Sequence, residues 1–126
     1  MAELLDTSLS AEERALLERF IAVAAARIGG RLCAVWLFGS RARGEHSGSE
    51  GSDVDLLVLV EDASWNGKLA VHAALAQAAA ELSLEWVAWS FSLHVNSLDW
   101  LAGRRAIQSF FMAEVDRDKV VVYEAP

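Results

Sequence analysis

The stretch LCAVWLFGSRARGEHSGSEGSDVDLLVLV, residues 32–60, decides how the chain folds. It opens on the apolar run Leu32 to Phe38 and closes on a second, Val54 to Val60. Both have the length of a strand and favour residues that suit a pleated surface, so each reads as a buried strand. Between them, Gly39 to Ser52 turns to Gly, Ser, Arg, Glu and His with no apolar period. That composition predicts a turn, then a mobile loop over residues 46–51.

Working outward, Ser10-Ala11-Glu12-Glu13 has the form of a capping box and predicts a helix start. Leu16, Leu17, Phe20, Ala24 and Ile28 then share one helical face, and Gly29-Gly30 supplies the stop. After the second strand, Lys68 to Leu82 is Ala-rich, with Val71, Leu75, Ala78, Ala79 and Leu82 on a common face. Trp89 to Asn96 alternates with the period of a half-buried strand whose polar face is Ser90, Ser92, His94 and Asn96. Ser97 is positioned to cap a helical turn through Trp100. A helix over Ile107 to Val115 and a final strand over Val120 to Tyr123 complete the reading. This order predicts an α/β (α+β) arrangement, helices packed on one sheet, in a single domain over residues 1–126. Strand direction is left open by the pattern alone.

Composition narrows the function classes. The formal charge of −7 would repel a nucleic-acid backbone, and basic residues cluster only at Arg41 with Arg43 and at Arg104 with Arg105, so nucleic acid is not an expected partner. Apolar runs are interrupted well before a membrane span, and the acidic N-terminus lacks the positive region of a secretory signal, so a cytoplasmic protein is expected. A single cysteine, Cys33, excludes an internal disulfide and reads as a buried small hydrophobe. Five tryptophans and a hydrophobic content of 54% point to a core plus some interface, which would pair two copies or receive a partner.

The chemistry concentrates around the polar insertion. Asp53 and Asp55 stand two apart at the start of a strand, so both carboxylates project from one face. Two such carboxylates repel unless a cation compensates, and magnesium suits oxygen ligands shared between one or two carboxylates and substrate phosphates. Gly39 lets backbone approach a ligand, Ser40 offers a hydroxyl and nearby amides, and Arg41 and Arg43 are candidates for neutralising phosphate charge. Together these residues would form a phosphoryl-transfer site, a wall of donors facing a wall of metal ligands.

Gly39-Ser40-Arg41-Ala42-Arg43-Gly44 followed by Ser52-Asp53-Val54-Asp55-Leu56 resembles the signature of the nucleotidyltransferase superfamily that includes DNA polymerase beta, in the form called the minimal nucleotidyltransferase domain. The resemblance implies a mixed sheet with helices packed on one side. It implies transfer of a nucleoside monophosphate, AMP being the first candidate, from a nucleoside triphosphate to a protein or small-molecule hydroxyl. Asp53 and Asp55 would be catalytic and would hold Mg2+ (or Mn2+), while Gly39 and Ser40 would contact the triphosphate. Domains of this kind are often partnered with a helical HEPN-type protein in toxin–antitoxin pairs. The alternative is therefore a catalytically weak or inactive nucleotide-binding antitoxin that covers such a partner. Active members usually carry a third carboxylate on a later strand; here the nearest acid to that strand is Glu85.

Overall fold

The computed structural model describes residues 9–43, 53–107 and 109–125. Helix α1 runs Ala11–Ile28 and starts on the expected capping box: Ser10 Oγ accepts from the Glu13 amide at 3.1 Å, while Glu13 Oε1 accepts from the Ser10 amide at 2.8 Å. Leu16, Leu17 and Phe20 on its inner face are fully buried. A 3-10 turn over Gly29–Arg31 reverses the chain into β1, Leu32–Phe38. An 18-residue helix spans roughly 27 Å at about 1.5 Å per residue. A 7-residue strand spans roughly 23 Å at about 3.3 Å per residue. The far end of β1 is therefore carried back toward the start of α1.

Strand β2, Val54–Val60, pairs antiparallel with β1. Helix α2, Trp65–Leu82, and the single turn α3, Glu85–Ala88, cross over to β3, Phe91–Ser97, which pairs parallel with β2. The crossover is what a parallel pair requires. Two short helices follow, α4 over Leu98–Ala106 and α5 over Phe110–Asp118. Strand β4, Val120–Glu124, then lies antiparallel on the free edge of β1, giving the mixed order β3-β2-β1-β4.

Alternation along the strands divides the interior in two. Val35, Leu37, Val54, Leu56, Val58 and Val60 join α1 and α2 in the larger cluster. Ala34, Trp36, Phe38, Leu57 and Leu59 point to the other face, where Leu101 of α4 and Met112 and Val115 of α5 close over them. The main helical layer packs on one face as expected, and the C-terminal pair adds cover to the second. Cys33 is half-buried beside this second cluster rather than fully enclosed. Trp36 fills the second core, whereas Trp65, Trp86 and Trp89 are exposed. No helix among the described residues is long and apolar enough to cross a membrane.

Candidate functional site

The register of the β1–β2 hairpin brings the two halves of the polar insertion together. Phe38, the last residue of β1, pairs with Asp55, the second of β2. Gly39 follows at φ 79°, a conformation that favours glycine. A Cβ there would lie 2.8 Å from Asp55 Oδ2, so the missing side chain is what lets the acid rest against the turn. The turn closes with the Ala42 and Arg43 amides donating to the Gly39 carbonyl at 3.1 and 3.3 Å. Ala42 is buried in the larger core cluster and anchors it there, leaving Ser40 half-buried at the bend.

Asp55 shares the sheet face of Leu57 and Leu59, so it points toward α5 and away from α1 and α2. Burial pushes its carboxyl above the ordinary carboxylate value; His94 pulls it back and the charge of Asp53 adds to the rise. Asp53 stands exposed just ahead of β2. On β3, Ser92 lies in register beside Asp55. His94 Nε2 is 3.3 Å from Ser92 Oγ and 4.0 Å from Asp55 Oδ1, with its ring edge-on to Phe38 at 5.3 Å between centroids.

A cavity of about 270 Å³ opens beside Asp55. Phe38, Gly39, Arg43 and Asp55 form one wall, and Phe111, Glu114, Val115 and Asp118 of α5 form the other. Nothing in the sequence pattern signalled that α5 would return here. Its acids lie far from the motif in the chain, and their approach depends on Met112 and Val115 docking on the second sheet face.

The arginines do not share one role. Arg43, exposed on the cavity wall, donates from Nη1 to Asp118 Oδ2 at 3.2 Å. Arg41 turns instead to the start of α1 and grips Glu13 with both terminal nitrogens, Nη1 to Oε1 at 2.6 Å and Nη2 to Oε2 at 3.0 Å. Its expected orientation toward phosphate is corrected by that bidentate pair, which exists because β1 ends where α1 begins. Burial pushes the Glu13 carboxyl up, but the Arg41 hydrogen bonds, the Ser10 amide and the Arg41 charge together hold it below its ordinary value.

Glu85, the nearest acid to β3 in the sequence, is also corrected. It begins α3, is exposed, and lines a groove with His72, Leu75, Ala76, Ala79, Ala88 and Trp89. Leu75, Ala79 and Ala88 belong to the α1–α2 side of the sheet, the face opposite Asp55. Sequence proximity misled here because the intervening turn sets α3 against α2 instead of continuing toward the strand face. Among the described residues, no three His, Cys, Asp or Glu side chains gather as a ready-made metal cluster. Gly44, Ser52 and the loop over residues 46–51 lie outside the described residues.

No curated protein matches the chain. The family described as "Polymerase beta, Nucleotidyltransferase" matches residues 30–125, from the turn before β1 through β4. Because that match takes in the whole sheet as well as the Gly39 turn and the Asp53–Asp55 strand, the chain belongs to the polymerase beta nucleotidyltransferase family, as a minimal nucleotidyltransferase domain.

Proposed function

We propose that this protein transfers a nucleoside monophosphate, AMP in the first instance, from a nucleoside triphosphate to a hydroxyl of a protein or small molecule, with magnesium or manganese as its metal. The observation that carries the reading is the contact between Asp55 and the Gly39 turn, which joins an acidic wall to a backbone wall at one spot. The donor set fits a hard divalent cation as the protein's share of a site. Asp53 and Asp55 would hold it, and phosphate oxygens and water would fill the remaining positions. Burial, with a smaller share from the charge of Asp53, raises the Asp55 carboxyl, and a bound cation would favour its ionised form. When bound, the cation offsets the charge of the acid pair and of the phosphates.

The chain's own residues then have distinct tasks. Gly39 admits the triphosphate close to the backbone, and Ser40 offers a hydroxyl at the bend. Arg43 lends positive charge at the cavity wall, its bond to Asp118 being one that phosphate oxygens would compete for. The cavity between β1, β2 and α5 gives an acceptor hydroxyl access to Asp55. In-line transfer relies mainly on positioning and charge stabilisation, which such a set supplies.

The test is incubation with ATP labelled on the α-phosphate, with magnesium, and with and without candidate acceptors. Label should transfer in the wild type and stop with a chelator, and Asp55→Asn should lower the rate by about 10²-fold or more. Full activity in Asp55→Asn would overturn the assignment. A second reading is a nucleotide-binding antitoxin that covers a helical HEPN-type partner. It is favoured by a β3 face that offers Ser92 and His94 beside Asp55 but no acid, and by the exposed Trp86 and Trp89. Tight complex formation without label transfer would select it.

A further inference from the structure

We propose that Glu13 is a positioning residue of the nucleotide site, acting through Arg41 to hold the Gly39–Ser40 turn against Asp55. The inference rests on the functional reading above for its consequence, though not for its geometry. Glu13 is the buried charged residue among the described ones, 8% exposed, and its carboxylate receives three short hydrogen bonds. One comes from Ser10 within its own capping box; the other two come from Arg41, 28 positions along the chain. A helix cap needs only the first.

The two Arg41 bonds tie the start of α1 to the turn that follows β1, with both side chains largely shielded, at 17% and 11% exposure. Bidentate pairing fixes direction as well as distance, so it sets where the turn sits. Ala42 in the core and Arg41 on Glu13 both anchor the turn on the α1 side, beside the Arg43 bond to Asp118, and so help to set how Gly39 meets Asp55. An arginine held in this way braces the turn while Arg43 faces the cavity. The expected charge on phosphate thus comes from Arg43, and Arg41 contributes shape.

The test uses the full chain and three variants: Glu13→Gln, Arg41→Lys and the double variant. Amide hydrogen exchange over residues 39–43 is measured first, and ATP binding with magnesium by calorimetry second. Either single change should speed exchange in the turn by about tenfold or more and weaken ATP binding by about tenfold, and the double variant should be no worse than the singles, because both remove one brace. Ser10→Ala is the control, since it loosens the helix cap without removing the Arg41 pair; it should lower the thermal midpoint and leave ATP affinity unchanged.

Unchanged exchange over residues 39–43 in Glu13→Gln would overturn the brace. Tighter ATP binding by Glu13→Gln would overturn it too, because Glu13 would then be competing with phosphate for Arg41. Equal weakening by Ser10→Ala would reduce the effect to general helix stability and overturn the positioning role. A wild type that binds no ATP would remove the functional reading and the positioning role together, whereas variants that bind like the wild type would remove the positioning role alone.

Discussion

At the scale of single residues, the carboxyls of Asp55 and Glu13 are shifted in opposite directions. Burial and Asp53 raise the Asp55 carboxyl, so its ionisation at neutral pH works against the fold; that handicap is absent below its ordinary value of 3.8 and grows as pH rises through the folded value. Asp55→Asn, neutral throughout, should therefore raise the thermal midpoint at pH 7 without metal while losing transfer. Glu13 is the reverse case. Its folded value lies below the ordinary 4.5, so its contribution is present above that pH and is lost as pH falls through the folded value. Urea midpoints measured from neutral pH down through the acid range should fall less steeply for Glu13→Gln than for the wild type. At neutral pH the same variant should be less stable by on the order of 1–3 kcal/mol, the worth of hydrogen bonds to a charged group.

At the scale of elements, serine begins four of the helices. Ser10, Ser64, Ser97 and Ser109 each accept an amide three residues on. The sequence pattern revealed Ser10 and Ser97, whereas α2 was expected to start at Lys68 and in fact starts at Trp65. Gly67 lies within that first turn, ahead of the Ala-rich run. Its reason is spatial: a Cβ on Gly67 would collide with the backbone carbonyl of Asp62. Gly67→Ala should therefore destabilise by about 1–3 kcal/mol, the usual range for overpacking, despite alanine's better helix propensity. Chemical denaturation of the variant checks the sign directly.

At the scale of the whole molecule, stability comes from two clusters on either side of one sheet. Phe20 has no exposed surface and joins α1 to the larger cluster. Phe20→Ala should cost about 3–5 kcal/mol. Trp89 is 89% exposed, so Trp89→Ser should change stability by no more than about 0.5 kcal/mol. Paired denaturation curves for these variants would show whether the exposed tryptophans lie outside the fold's energetics, as their exposure indicates. Trp36 differs from Trp89, being buried in the second cluster with Lys119 Nζ 3.7 Å from its ring centroid.

The bounds of β1 and β2 were legible in the chain, and so was the side of β2 that Asp55 takes relative to Val54. Such features follow from alternation along one strand, which backbone geometry imposes whatever lies nearby. The family signature was legible for a related reason, since Gly39 and Ser40 follow β1 where Asp53 and Asp55 stand at the start of its neighbour β2. Tertiary structure alone decided that Arg41 grips Glu13, that Glu85 lies across the sheet from Asp55, and that α5 brings Phe111, Glu114 and Asp118 to the cavity. Each of those facts depends on which surfaces of distant elements meet. That is settled by the packing of the whole core, and no local period in the sequence encodes it.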